Sequence, residues 1–127
     1  MTEDVMTIRA MCEAFDVTPR ALRFYEAKEL LFPIRQGQRR LFTKRDRARL
    51  TLILRGKRFG FSLEEIRQLL DLYDADPEHL VQKRAAVELG RARLSALVAE
   101  HAALGAAISE LREQLAEAER SLSKHAA

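Results

Sequence analysis

The sequence contains few of the residues that interrupt or cross-link a fold. Of its 127 residues, one is cysteine, five are glycine and three are proline. One thiol cannot form an intrachain disulfide and falls far short of the ligand set of a zinc or iron–sulfur site. With 47% apolar and 32% charged residues, the composition argues against a disordered chain and against an all-β sandwich. It predicts a mainly α fold of one domain, or of a small domain with an appended helix.

Signals for membrane insertion, secretion and catalysis are also missing. No run approaches the ~18 consecutive apolar residues of a membrane span, and the start MTEDVM lacks the basic and apolar segments of a signal peptide. The sequence has no Ser/His/Asp grouping, no phosphate-binding glycine loop and no HExxH motif. We therefore expect a cytoplasmic protein that is not an enzyme, with no metal, no cofactor and no membrane partner.

Positive charge is concentrated in the N-terminal half. Residues 1–70 hold 15 of the 22 Lys and Arg and 9 of the 19 Asp and Glu, a net charge of +6, whereas the remaining 7 and 10 give residues 71–127 a net charge of −3. Clustered Lys and Arg are typical of a surface that binds nucleic acid. A nucleic acid is therefore the expected partner of that half, with a solvated basic surface as the alternative.

The first part of the chain has the pattern of a helix-turn-helix. Thr7 is a candidate N-cap, and the apolar residues after it recur at helical spacing as far as Phe15. Thr18 and Pro19 provide a second N-cap followed by a proline in the first turn. The next helix places Leu22 inward and carries several arginines. Two short helices joined by about three residues, the second of them basic, predict a helix-turn-helix.

A wing and two further helices complete this predicted domain. The segment 32–42 (FPIRQGQRRLF) has a glycine between two short runs of mixed apolar and basic residues, as in a β-hairpin. Thr43 and Ser62 are each followed three residues later by an acidic side chain, which is the spacing of a capping box at a helix start. We expect residues 7–73 to form a winged helix-turn-helix domain.

A long helix is predicted after a short linker at 74–76. Asp76 and Pro77 have the chemistry of its N-cap and first turn, and apolar residues then alternate at spacings of three and four as far as Leu122. Residues 77–122 would span about 69 Å as a helix with one apolar edge, so we expect a second copy of the chain to cover it, and 123–127 to be frayed. The residues assigned to dimerisation are Leu94, Leu97, His101, Leu104, Ile108, Leu111, Leu115 and Leu122.

Three blocks in a fixed order resemble the MerR family of bacterial transcription regulators. They are VTPRALRFYEAKELLFP at 17–33, RRLF at 39–42 with Asp46, and RGKRFGFSLEEIRQLL at 55–70. The resemblance is close over residues 7–73 and looser over the long helix. It implies a homodimer, paired through an antiparallel coiled coil, that binds an inverted-repeat promoter site and distorts the DNA there for RNA polymerase. The second and third blocks look most like a cysteine-poor subgroup that includes regulators of leucine and isovalerate breakdown.

The resemblance also implies a set of DNA contacts. The second helix would be the recognition helix in the major groove, with Arg20 and Arg23 as its basic contacts and Thr18 as a further candidate for base reading. Tyr25 matches a family tyrosine near the phosphates, whereas Phe24 stands where tyrosine is usual and lacks the hydroxyl. The other cations, in the wing and at the end of the third helix, would contact the DNA backbone; they are Arg39, Arg40, Arg55, Lys57 and Arg58.

The sensing end of the family is where this sequence departs. Metal-sensing and redox-sensing members carry cysteines beyond the dimer helix and drug-sensing members carry a separate domain, whereas this sequence stops at Ala127, so we expect no dedicated sensor domain. Cys12 lies on the apolar stripe of the first helix and is expected to be a buried, inert thiol. His101 on the seam is assigned to helix register, with a pH or metal switch as the alternative.

Two classes of function remain open at this point. The leading one is a sequence-specific, homodimeric transcription regulator of the bacterial nucleoid, whose small-molecule effector is unknown. The alternative is a coiled-coil assembly adaptor, whose winged domain binds protein and whose long helix recruits a different partner. Tight binding to one promoter, absent on shuffled DNA, distinguishes the two.

Overall fold

The computed structural model describes residues 4–75, 78 and 80–126. The chain divides into two compact units, Met1–Ala86 and Val87–Ala127. The predicted mainly α fold, with a winged helix-turn-helix followed by a long C-terminal helix, is confirmed. In chain order the elements in the described ranges are β1 (Met6–Thr7), α1 (Ile8–Phe15), α2 (Pro19–Ala27), β2 (Ile34–Gln36), β3 (Arg39–Phe42), α3 (Lys44–Phe59), α4 (Leu63–Ala75) and α5 (Leu80–Ala126).

Each of the first four helices begins with a threonine or serine N-cap. The hydroxyl oxygens of Thr7 and Thr18 each accept a hydrogen bond from the backbone N–H three residues later, at 3.1 Å. Thr43 and Ser62 do the same, and the acidic residue three positions further on accepts from the backbone N–H of the cap in return. These bonds satisfy N–H groups that have no partner inside the helix. The four predicted caps are confirmed.

The wing belongs to a three-stranded sheet. β2 and β3 are antiparallel, with Arg35 opposite Arg40, and the turn between them passes through Gly37 at φ +62°. β1, which the sequence patterns did not predict, pairs with the other edge of β3, so the strand order is β1-β3-β2. The hairpin expected from sequence is therefore extended by Met6 and Thr7, which occupy a strand edge that would otherwise be open.

One apolar core holds these elements together. A glycine at position 56 lets α3 and α4 approach closely, because a Cβ at Gly56 would lie 2.9 Å from Cγ1 of Ile66. Cys12 packs against this core, as predicted, but it is half-buried and not buried. The buried apolar residues are Met11, Leu22, Tyr25, Leu30, Leu31, Phe42, Leu50, Ile53, Ile66 and Leu70.

The C-terminal end of α4 lies further along the chain than predicted. Residues 74 and 75, which the sequence assigned to a linker, belong to α4. The carboxylate of Asp74 accepts hydrogen bonds from Arg45 at 2.6 Å and from Arg49 at 2.5 Å, and these bonds attach the last turn of α4 to α3. The predicted cap and first turn at 76–77 lie outside the described residues.

The second unit is formed by α5 from Val87 onward. The helix itself begins at Leu80, in the part of the sequence assigned to the first unit. A helix of 47 residues is about 70 Å long at 1.5 Å per residue. It includes residues 123–126, which were expected to fray. None of its described residues is buried, so the unit has no core of its own.

Candidate nucleic-acid interface

The exposed face of α2 carries the predicted recognition residues. Arg20, Arg23 and Phe24 follow one another at helical spacing and are exposed, whereas Leu22 is fully buried on the core side. Thr18 is exposed, but its hydroxyl oxygen already accepts the backbone N–H of the third residue after it, so its first role is to cap α2. Two arginines thus stand free of the core on one short, firmly capped helix.

Tyr25 occupies a different position from the one expected of a phosphate contact. Tyr25 belongs to the core and is 2% exposed. Its contact with DNA stays a prediction, and only this small exposed part of the residue could make it. Nζ of Lys57 lies 5.6 Å from the centroid of its ring, within the range of a cation–π interaction. Tyr25 therefore links α2 to the last turn of α3.

The wing is connected to α2 through Glu26. Nε of Arg40 donates to Oε1 of this carboxylate at 2.6 Å, and Nε of Arg35 lies 3.7 Å from Oε2. Arg40 is half-buried by this contact, whereas Arg39 before it is exposed. The two wing arginines predicted to contact DNA thus differ in how much of their surface is free.

The end of α3 supplies the third group of cations. Arg55, Lys57 and Arg58 are exposed, and the helix ends immediately after them at Gly60, whose φ of +87° only glycine adopts without strain. Adjacent residues 25 and 26 of α2 contact Lys57 and the wing, so two other segments of the sequence pack against α2. The structure therefore brings together the three groups of predicted DNA-binding residues.

A buried arginine fixes the loop that follows α2, and sequence reasoning did not identify it. Arg49 is 2% exposed; its Nε donates to the carbonyl of Leu30 at 2.7 Å and its Nη1 to Asp74. Burial lowers the pKa of Arg49, an effect that the charge of Asp74 opposes. The hydrogen bond from Arg45 holds the pKa of Asp74 below its ordinary value. No periodic signal distinguished Arg49 from the exposed arginines of α3.

The long helix carries a line of exposed apolar side chains. All eight residues predicted to mediate dimerisation are exposed, and leucines at 94, 104, 111 and 122 each keep more than half of their surface in solvent. By length and composition alone α5 could also cross a membrane, with a mean hydropathy of 1.2 over 18 residues. The eight residues predicted to mediate dimerisation, however, follow one stripe, and many of the residues between them are alanine. Such a stripe is typical of a helix that packs against another helix.

Metal-binding groups do not gather in the part of the chain that the structure describes. Among those residues no group of three or more His, Cys, Asp or Glu side chains is placed to hold an ion. Cys12 and His101, the two residues considered as sensors, lie in different units.

Two sequence families match this chain. The family described as "MerR HTH family regulatory protein" matches residues 6–72, and the family described as "MerR, DNA binding" matches residues 47–123. Each match covers more than half of the chain. The chain belongs to the MerR family. The members found by comparison are named as transcription regulators, not as enzymes.

Individual relatives and structures agree with this assignment. The HTH-type transcriptional regulator ZntR of Escherichia coli K12 is 39% identical over 74 residues, which are 57% of this chain and 52% of ZntR. The regulator CueR of Yersinia pestis is 34% identical over 86 residues, 66% of this chain and 62% of CueR. The chain thus spans about half the length of ZntR. Its predicted placement among leucine and isovalerate regulators stays a prediction.

Two solved structures share the fold. A MerR family regulator from Bacillus cereus superposes with a TM-score of 0.68 at 30% identity, over 86% of this chain and 78% of that one. HiNmlR, described as a MerR family regulator lacking the sensor domain and bound to promoter DNA, superposes with a TM-score of 0.61 at 23% identity, over 76% of this chain and 74% of its own.

Proposed function

We propose that this chain is a sequence-specific, DNA-binding transcription regulator that acts in the bacterial cytoplasm, on DNA of the nucleoid. The observation that carries the proposal is the assembly of two basic segments, the wing and the end of α3, against the basic helix α2, through the Glu26–Arg40 and Tyr25–Lys57 contacts. A surface of this kind suits the evenly spaced phosphates of a duplex. Residues 7–73 form the DNA-binding domain in this proposal.

The recognition step falls to α2. The major groove of B-DNA is about 12 Å wide and admits an α-helix, and α2 presents Arg20 and Arg23 on its exposed face. An arginine can donate two hydrogen bonds to one guanine, which reads sequence, whereas cations in the wing and at the end of α3 meet phosphates and fix the register. Arg39, Arg40, Arg55, Lys57 and Arg58 take the second role.

Dimerisation falls to α5. In a single chain this apolar stripe stays exposed to water. A second copy of the same helix carries the same stripe, so that each copy covers the apolar side chains of the other. An antiparallel arrangement places the two winged domains at opposite ends of the pair, which matches an inverted-repeat site. Residues 77–122 are the dimerisation segment in this proposal. We also propose that the bound dimer distorts promoter DNA and thereby favours transcription by RNA polymerase.

The test compares two classes of arginine on two duplexes. The full chain selects its preferred duplex from a randomised library, and the dissociation constant is then measured for that duplex and for a scrambled one of equal composition. Arg23→Ala should cost about 1–3 kcal/mol on the selected duplex and much less on the scrambled one. Arg58→Ala should weaken both alike and reduce the salt slope by about one.

Three outcomes would count against the proposal. Failure of the library to enrich any sequence would favour the adaptor alternative. Equal losses on both duplexes for Arg23→Ala and Arg20→Ala would refute base reading by α2. A chain that bound the selected duplex as a monomer would refute the role given to α5.

A further inference from the structure

The carboxylate of Glu26 is the one acidic group, among the described contacts of α2, that touches both strands of the wing. Arg35 and Arg40 are opposite one another across β2 and β3, and both point their Nε atoms at this side chain, at 3.7 Å and 2.6 Å. An acidic side chain in a surface that binds phosphate weakens that surface unless it serves another purpose. Its placement therefore requires an explanation beyond affinity.

Partial burial makes this contact stronger than an ordinary surface ion pair. The side chains of Glu26 and Arg40 are 22% and 23% exposed, so less water lies between the charges than at the exposed pair of Arg9 and Glu13, which are 89% and 71% exposed. Arg40 donates its Nε to the carboxylate, and its guanidinium is held against α2. The wing is thereby fixed relative to the recognition helix before any DNA is present.

We propose that Glu26 is a positioning residue that determines specificity, because it holds Arg35 and Arg40 of the wing against α2 and neutralises them until a matching site is reached. The inference rests on the proposed function. On random DNA, binding depends on the number of cations that meet phosphates, and Glu26 lowers that number. On the preferred site, α2 and the wing engage together, and a wing already in place loses less conformational freedom on binding.

The test uses Glu26→Gln with Glu13→Gln as its matched control. Each removes one negative charge from a Glu–Arg pair of the same domain, but only the first pair joins the wing to α2. Glu26→Gln should tighten binding to the scrambled duplex by roughly three- to tenfold and steepen the salt slope by about 0.9 for each arginine released to a phosphate. Binding to the selected duplex should change little, so the ratio of the two affinities falls. Glu13→Gln should leave this ratio unchanged.

Glu26→Asp separates charge from geometry and guards against misfolding. The aspartate keeps the negative charge, so the scrambled duplex should be bound with the wild-type salt slope. Thermal unfolding of each variant, measured without DNA, reports any purely structural effect, which would lower the unfolding temperature and leave the salt slope as it was.

The inference and the proposed function fail in different ways. If the wild-type chain does not distinguish the selected from the scrambled duplex, the proposed function is wrong. If the wild type distinguishes them and Glu26→Gln keeps the wild-type ratio and slope, or behaves as Glu13→Gln does, the inference is wrong and the proposed function stands.

Discussion

The ion pair between the buried Arg49 and the partly exposed Asp74 allows a stability prediction with an internal control. Asp74 accepts hydrogen bonds from two arginines of α3, but the side chain of Arg49 is 2% exposed and that of Arg45 is 60% exposed. The same carboxylate therefore makes one contact inside the protein and one at its surface. Removing the carboxylate leaves the buried charge of Arg49 without its ion-pair partner, whereas removing the side chain of Arg45 leaves no buried charge unpaired.

The magnitudes follow from this difference in exposure. Breaking a buried ion pair from one side costs about 3–5 kcal/mol. The side chain of Asp74 is 26% exposed, so water reaches the remaining charge in part, and asparagine keeps one acceptor for Arg49. We expect Asp74→Asn to lower the free energy of unfolding by about 2–3 kcal/mol and the Tm by roughly 10 °C. Arg45→Gln should cost at most about 1 kcal/mol.

The pH dependence of stability gives the sign of the charge contribution. Because the folded pKa of Asp74 is held below its ordinary value, its ionised form stabilises the fold above the unfolded pKa of about 3.9. That contribution is lost as the pH falls through the lower, folded pKa. The difference in stability between the wild type and Asp74→Asn should therefore be constant near neutral pH and shrink below about pH 4.

Urea unfolding followed by circular dichroism is the assay, at one protomer concentration because a dimer makes the midpoint depend on it. Equal costs for Asp74→Asn and Arg45→Gln would refute the argument from burial. A difference from wild type that stays constant down to pH 3 would refute the assignment of the effect to the carboxylate charge.

Three further substitutions or treatments test other parts of the structure. If α5 forms the proposed dimer, Leu104→Asp, which places a charge on its apolar stripe, should give a monomer in sedimentation analysis and abolish specific binding, whereas Ala106→Asp, on the other side of the helix, should leave the dimer intact. Gly56→Ala should destabilise by up to about 2 kcal/mol in urea unfolding, since its Cβ would meet Ile66 at 2.9 Å and crowding of about 1–3 kcal/mol outweighs or equals the gain in helix propensity of about 1 kcal/mol; a more stable variant would contradict this. Zinc, copper and peroxide should leave promoter output unchanged in a reconstituted transcription assay, and a several-fold response that Cys12→Ser abolishes would identify that thiol as a sensor.

The parts of the fold that the sequence predicted correctly depend on short-range chemistry. A threonine or serine cap and its partner N–H lie three residues apart, so the starts of α1 to α4 could be located without knowledge of the fold. The stripe on α5 is likewise a periodic property of one helix. Predictions of this kind need only the chain within a few turns of the residue in question.

The errors occurred where a distant contact decides the structure. β1 is two residues long and exists because it pairs with β3, where Met6 lies opposite Phe42, 36 residues further along the chain. α4 includes residues 74 and 75, where Asp74 contacts α3; the burial of Tyr25 was likewise not foreseen, although its contact with DNA stays a prediction. Short strands and buried polar groups carry no period in the sequence, so their positions follow only from the assembled core.

Much the same division applies to the candidate site. The clustering of Lys and Arg in the helix-turn-helix and wing was visible in the sequence, and their contacts with DNA stay a prediction, but the groups that hold these cations in place could not be predicted. Glu26, one turn after Arg23, looked like an ordinary exposed helix residue. A carboxylate at that position gains its role only when the wing folds back onto α2.

The orientation of α2 depends on side chains outside the helix-turn-helix. Arg67 of α4 donates to the carbonyl of Lys28, which follows the last residue of α2, and Arg49 of α3 donates to the carbonyl of Leu30. Asp46, which also takes part in the capping box of α3, accepts a hydrogen bond at 2.9 Å from the backbone N–H of Phe32 in the same loop. The N-terminus of α2 is thus fixed by its own cap, whereas its C-terminus is fixed by α3 and α4. Because Arg49 also binds Asp74 in the last turn of α4, a displacement of that turn must either leave the buried Arg49 without this carboxylate or move the loop that follows α2.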